Sequence, residues 1–220
     1  NARKSTLTNA LVGQKIVITS SRPQTTRTVV RGIVHRTDGQ LILVDTPGLH
    51  RPRTLLGERL NDLVKATWAE VDVVAVCFPA DEKVGPGDRF IVNELAKVRR
   101  TVKIAIATKT DLATPEQIAR HLLDIQALGE QTGTSWAEII PVSAVSGDQV
   151  KLLEDLLVGM MPEGPQLYPD GDLTDAPEEV IAADLIREAA LEGLQDELPH
   201  SLAVVVDEMG MREDRPEDRP

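Results

Sequence analysis

The sequence predicts an α/β protein with a mostly parallel sheet, and three stretches carry that prediction. Leu41–Gly48 runs four apolar residues straight into Asp45 and a Pro-Gly stop, the profile of a strand covered on both faces. Ile104–Asp111 and Ile139–Ala144 repeat the design of an apolar strand that ends in polar residues. Helical periodicity separates these strands, and that alternation belongs to crossover units of a parallel sheet. Polar residues at the carboxyl ends of such strands stand where open α/β sheets place their ligands.

The chain opens with Asn1-Ala2-Arg3-Lys4-Ser5-Thr6 and a helical start at Leu7–Leu11. Lys-Ser at a helix start is the closing pair of a phosphate-binding loop. Lys4 would neutralise β- and γ-phosphates, the Ser5 hydroxyl would ligate Mg²⁺, and loop N–H groups including that of Thr6 would hold phosphate oxygens. That pattern asks for glycine directly before the lysine, and Arg3 stands there. An Arg in that place is expected to carry backbone strain of roughly 1 to 3 kcal/mol and to weaken nucleotide binding. Such an arginine marks an artefact or an unusual loop conformation. The pattern's first glycine and its leading strand are also missing, so the sequence starts inside the motif.

After Ile16-Val17-Ile18 comes Thr19–Arg27, polar and aperiodic, a loop. Val29–Thr37 and Gln40–Val44 meet across Asp38-Gly39, a strong hairpin signal that makes these two strands antiparallel. Asp45 at the end of the second can hold Mg²⁺, usually through water, and Gly48 lets a backbone N–H approach a γ-phosphate. Leu49–Arg53 is a second loop, and a helix is expected from about Thr54 with Leu56, Leu60, Leu63, Val64 and Thr67 inward. Val73–Phe78 is the next strand, and a helix is expected over Asp88–Val98. Asp111 can accept from guanine N1–H and from the exocyclic amine, a pairing that adenine does not offer, and the backbone at Ser143-Ala144 can reach guanine O6. Thr114-Pro115-Glu116-Gln117 has the form of a capped helix start, with an end near Leu128-Gly129. The following helix spans about Gln149–Val158, with Leu152, Leu153, Leu156 and Leu157 as core.

Composition shifts at Pro162–Pro177, rich in Pro, Gly and Asp, the profile of an interdomain linker. Glu178–Asp196 reads as a helix with Ile181, Leu185, Ile186, Ala189 and Leu194 inward, Leu202–Val206 as a strand, and 209–220 as a disordered charged tail. The 220 residues allow one or two domains, and 41% hydrophobic with 2% aromatic makes the core aliphatic. No apolar run nears the roughly 18 residues of a membrane span. The single cysteine, Cys77, excludes a disulfide framework within the chain, fits a buried small hydrophobe, and leaves a reducing cytoplasm as the simpler setting. His35, His50, His121 and His200 are scattered without zinc spacing. A net charge of −11 argues against general nucleic-acid binding, so RNA affinity must come from a local patch or from further sequence.

The order of these motifs resembles the translation-factor-like GTPases and, within them, the Era family of ribosome-assembly GTPases. The matching residues are Asn1 with Lys4-Ser5-Thr6-Leu7, then Pro23-Gln24-Thr25-Thr26-Arg27, Asp45-Thr46-Pro47-Gly48-Leu49-His50, Thr108-Lys109-Thr110-Asp111 and Ser143-Ala144. The Pro-Gln-Thr-Thr-Arg string and the acidic segment after Tyr168 are the more specific of them. Departures are Arg3 for Gly, and Thr108 where Asn is commoner.

The resemblance implies a Ras-like G domain over residues 1–161, a linker at 162–177, and the beginning of a KH RNA-binding domain at 178–208 whose G-x-x-G loop is not in this sequence. It implies GTP or GDP with Mg²⁺ as ligands, Ser5, Thr26 and Asp45 as the metal set, and Thr25 as the alternative to Thr26. Thr108, Lys109, Asp111, Ser143 and Ala144 would bind the base, and Lys4, Thr26 and Gly48 would act in catalysis. Asn1 would ligate K⁺. Leu49 stands where Ras-like enzymes carry a water-orienting Gln, so hydrolysis is expected to be slow or to use a second cation. The small ribosomal subunit and its 16S rRNA are the implied partners, through the KH domain. A cytoplasmic monomer with a peripheral inner-membrane fraction completes the expectation. Two other classes stay open at this stage. One is an interaction or scaffold module on a GTPase fold whose nucleotide binding Arg3 has impaired, and the other, a P-loop ATPase, is disfavoured by Thr108-Lys109-Thr110-Asp111.

Overall fold

The computed structural model describes residues 2–19, 26, 28–52, 54–193, 202–208 and 210. Its elements, in order, are α1 (Ala2–Val12), β1 (Val30–Arg36), β2 (Gly39–Asp45), α2 (Leu55–Glu70), β3 (Val73–Pro79), α3 (Pro86–Ala96), β4 (Val102–Thr108), α4 (Pro115–Thr132), β5 (Glu138–Val142), α5 (Val150–Met160) and α6 (Glu178–Gly193). Strands β3, β4 and β5 form a parallel sheet in that order, with Thr108 opposite Val142 at its carboxyl end. Strands β1 and β2 pair antiparallel, as the hairpin signal predicts. The ladder closes at Arg36 opposite Gly39, so the turn falls on Thr37-Asp38, one residue earlier than expected. There the Arg36 guanidinium grips both oxygens of Asp38, at 2.7 and 2.8 Å.

Alternation along the strands sends side chains to two cores. Ile104 and Ile106 of β4 pack with Leu7 and Leu11 of α1 and Leu153 and Leu157 of α5. Ala105 and Ala107 face the opposite way, toward Val64 and Trp68 of α2, Val92 and Leu95 of α3, and Ile125 and Leu128 of α4. Helices thus cover both faces. The facing edges of β2 and β3 carry no ladder partner among the described residues, and a groove of about 580 Å³ runs between them, lined in part by Leu7, Leu43, Val73 and Leu153.

Packing moved several boundaries and faces. Helix α2 starts where expected, capped by Thr54, which accepts from the Gly57 N–H, but turns Gly57, Leu60, Asn61, Val64 and Trp68 inward. Leu56 and Leu63 are exposed, because the loop before α2 fixes its rotation. Helix α3 begins two residues early, at Pro86 behind Gly85. In α4 the capping box forms as predicted, but the helix runs on to Gly133, whose φ of 71° ends it. In α5, Leu153 and Leu157 are buried while Leu152 points out.

The linker expected at 162–177 is strapped to β1. Leu173 O accepts from the Ile33 N–H at 2.9 Å, and Thr174 bridges Gly32. The Gln40 side chain pairs with Leu167 N–H, Tyr168 N–H and Tyr168 O. An exposed edge strand is thereby covered. Helix α6 buries Arg187, Glu188 and Leu191 and exposes Leu185 and Ile186, a face different from the predicted one. Residues 202–208 hold no strand. Leu194, His200 and all but Gly210 of the expected 209–220 tail lie outside the described residues. No helix among the described residues is long and apolar enough to cross a membrane.

Candidate active site

The strand ends bring two groups of the singled-out residues together. The first forms around Ser5 in the first turns of α1. Its buried hydroxyl donates to Asp45 Oδ2 at 2.7 Å and lies 3.3 Å from Thr26 Oγ1. These residues are 40 and 21 positions from Ser5 in the chain, so only folding assembles them. Asp45 closes β2 and is 3% exposed. Burial pushes its carboxyl above the usual carboxylate range, against the opposing pull of Lys4 and the Ser5 bond.

The other Asp45 oxygen, Oδ1, is buried with no hydrogen-bond partner among the described residues. Leaving a buried acceptor unmade costs on the order of 1–3 kcal/mol, and more for a charged group. A cation would satisfy it. Two hydroxyls and a carboxylate are hard oxygen donors, the set that suits Mg²⁺ with water and phosphate filling its remaining positions. The donor set therefore fits Mg²⁺. Lys4 lines a cavity of about 220 Å³ together with Thr46, Pro47, Gly48 and Leu49, which joins the lysine to the D-x-x-G loop. Thr6 follows Ser5 and is half-buried.

The second group lies beyond β4 and β5. Lys109 sits in the left-handed region at φ 60°, between the strand and a 3-10 turn at Thr110–Leu112. A non-glycine residue there is strained, and such strain gathers at functional sites. Lys109 Nζ is held by Asp81 Oδ2 at 2.8 Å. Asp111 is exposed, and its Oδ1 accepts from Ser143 Oγ at 2.5 Å. Ser143 is fully buried, and its hydroxyl also accepts from the Ser146 N–H at 3.1 Å. Ala144 packs its side chain against the core of α1 and α5, leaving its backbone as the group able to serve a ligand. Thr108 and Thr110 flank Lys109 with buried hydroxyls that lack partners among the described residues.

Other expected residues fall elsewhere. Asn1 and Thr25 lie outside the described residues. Leu49 is 7% exposed and belongs to the α2–α3–α4 core. It offers no group to a water molecule. His50 turns its Nδ1–H to Gly48 O at 3.1 Å. Arg3 corrects an expectation, because α1 extends back to Ala2 and gives it helical backbone. Among the described residues the left-handed non-glycine positions are Lys109 and Gln149, so the strain argued for Arg3 is absent. Sequence reasoning passed over Asp81, Asn61 and Glu188, whose partners stand 28, 11 and 169 residues away. Asn61 alone left a trace, as a polar residue beside Leu60 on an apolar helix face.

A family model described as 50S ribosome-binding GTPase matches residues 1–109. The GTPase Era of Nocardioides sp. is 80% identical over 220 residues, all of this chain and 70% of the relative. That of Streptomyces coelicolor is 69% identical over all of this chain and 69% of its own length. Among solved structures, Era in complex with MgGDPNP and nucleotides 1506–1542 of 16S ribosomal RNA superposes with a TM-score of 0.89 at 31% identity, covering 98% of this chain and 72% of that one. An Aquifex aeolicus Era variant bound to GDP and AlF4⁻ gives 0.86 at 30% identity, covering 97% and 71%.

Proposed function

The chain belongs to the GTPase Era family, and on that premise we propose which of its residues carry GTP hydrolysis and what the nucleotide state controls. The observation that carries the assignment is the convergence of Ser5, Thr26 and Asp45 around an unpaired buried oxygen. Ser5 and Thr26 would hold Mg²⁺ through their hydroxyls together with the Asp45 carboxylate, whose Oδ2 accepts from the Ser5 hydroxyl. Bound Mg²⁺ supplies charge neutralisation at the β- and γ-phosphates. Lys4 adds positive charge to the same phosphates. The Gly48 N–H reports the γ-phosphate. Asp111, held by Ser143, selects guanine with Thr108, Lys109 and the Ala144 backbone.

The buried Leu49 has no group to orient water, so intrinsic hydrolysis is expected to be slow or to use a second cation. We extend the proposal to K⁺ ligated by Asn1, which would stabilise transition-state charge where no arginine is supplied. Hydrolysis at equal rates in K⁺ and Na⁺ would remove that cation. The relative solved with a 16S rRNA fragment supports the same RNA as partner, with residues 178–208 as the start of an RNA-binding unit. The chain's charge of −11 requires any such contact to be local.

The deciding experiment titrates the full-length protein with fluorescent GTP and ATP, with and without Mg²⁺. Tight binding of GTP alone, enhanced by Mg²⁺ and losing that enhancement in Asp45→Ala, is the expected result. Equal affinity for ATP, or an Mg²⁺ effect that survives the substitution, overturns the assignment.

A further inference from the structure

Helix α2 buries Gly57, Leu60, Asn61, Val64 and Trp68. Four of these suit an apolar face; Asn61 does not. An amide buried without partners costs several kcal/mol, and asparagine is also a weaker helix former than leucine. Asn61 is nonetheless 4% exposed. Both ends of its amide are used on one residue of the loop before the helix: Nδ2 donates to His50 O at 2.7 Å, and Oδ1 accepts from the His50 N–H at 3.4 Å. A side-chain amide that pairs with both the N–H and the C=O of one residue fixes that residue as a neighbouring strand would.

What it fixes is one end of the D-x-x-G loop. At the other end Asp45 is held by the β2 ladder, opposite Val30. Between them Pro47 is fully buried and Leu49 is anchored in the core, while His50 Nδ1–H reaches back to Gly48 O. Gly48 is thus suspended between two fixed points, one of them supplied by Asn61.

We propose that Asn61 is a positioning residue for γ-phosphate recognition, holding through His50 the Gly48 backbone N–H at the height where it meets GTP but not GDP. The inference rests on the reading of Gly48 given above. It predicts a selective defect: without the clamp, the loop loses its fixed approach to the γ-phosphate, while the sites for the base and the β-phosphate remain.

Fluorescent GDP and a fluorescent non-hydrolysable GTP analogue, titrated with Mg²⁺ against full-length variants, test it. Asn61→Leu keeps the helix and fills the buried face, so its unfolding midpoint should hold or rise. Its GDP affinity should stay within threefold while its affinity for the GTP analogue falls at least tenfold. Asn61→Asp keeps the acceptor for the His50 N–H and loses the donor, so its GTP-to-GDP ratio should lie between those of the Asn61→Leu variant and the parent chain; should Asn61→Leu not fold, this ratio decides alone. An unchanged ratio in the folded variants overturns the inference, as does an equal loss of both nucleotides with a lowered midpoint, which is the mark of packing alone. Asp111→Asn, run beside them, should lose both nucleotides alike. If it loses neither, or the parent chain binds no GTP, the nucleotide site itself is misassigned and this inference falls with it.

Discussion

Ser143 shows how little a single side chain reveals before its partner is known. In sequence it is one residue of a strand end; folded, it is fully buried and hydrogen-bonded to Asp111 and Ser146. A carboxylate that must face two guanine donors gains from being locked in one rotamer. Ser143→Ala should therefore cut GTP affinity about tenfold, since a hydrogen bond to a charged group contributes ~1.5 kcal/mol. Asp111→Asn should go further and move preference toward xanthosine nucleotides, because the amide keeps one acceptor for the base N1–H while its NH2 opposes the guanine amine and suits the 2-oxo group of xanthine. Competition binding with GTP, XTP and ATP measures both effects. Unchanged GTP preference in Asp111→Asn would exclude Asp111 from the base site.

At the scale of elements, α6 is tied to the segment that leads into the Thr26 loop. Glu188 accepts from the Thr19 N–H at 2.7 Å and its hydroxyl at 3.2 Å, and pairs with Lys15. Burial alone would raise the Glu188 carboxyl, yet the Lys15 pair and the Thr19 bonds together hold it below its ordinary 4.5. A lowered folded value means that the tie is fully present above pH 4.5 and is lost as acid protonates the folded carboxylate. Hydrogen-exchange protection factors in α6, taken against the intrinsic rate at each pH, should accordingly fall only below about pH 4.5, the ordinary carboxylate range. Glu188→Ala should remove this pH dependence and cost roughly 1–3 kcal/mol, the penalty of unmade buried bonds. In α4, Gly129 is present for packing. A Cβ on it would stand 2.5 Å from Trp136 Nε1 and 2.8 Å from Thr134 O. Gly129→Ala should destabilise by about 1–3 kcal/mol, the usual cost of overpacking, which urea unfolding would measure.

For the molecule as a whole, the nucleotide is expected to act as a stabilising ligand. Binding to the folded state alone adds about 2.7 kcal/mol when free ligand is a hundredfold above Kd. Mg²⁺ with GTP at that excess should raise the unfolding midpoint, whereas ATP at equal concentration should not. The oxygen at Asp45 that has no partner supplies a reason for the metal's share of the gain. Calorimetry that shows the same rise with ATP would break the link between guanine selection and the folded site.

The sequence by itself determined most of the elements, though not the strand expected over Leu202–Val206, and the ligand class. Apolar runs such as Ile104–Ala107 must be buried and are too short for helices, and the Thr114–Gln117 cap is a local interaction; both are legible because their physics acts over a few residues. Polar groups at successive strand ends announced a phosphate and guanine site for the same reason. Tertiary structure alone decided which face of α2 and α6 turned inward, because Leu56 and Asn61 compete for burial and only the partner at His50 settles it. It also decided that a linker of Pro, Gly and Asp would be held along β1, since its backbone groups find partners in Ile33 and Gln40 more than a hundred residues away. Hydrogen bonds of that reach carry no local pattern, so composition could describe the linker's flexibility and miss its attachment. Leu49 was readable as a missing glutamine, but its burial in the core, which takes it out of any catalytic role, required the fold.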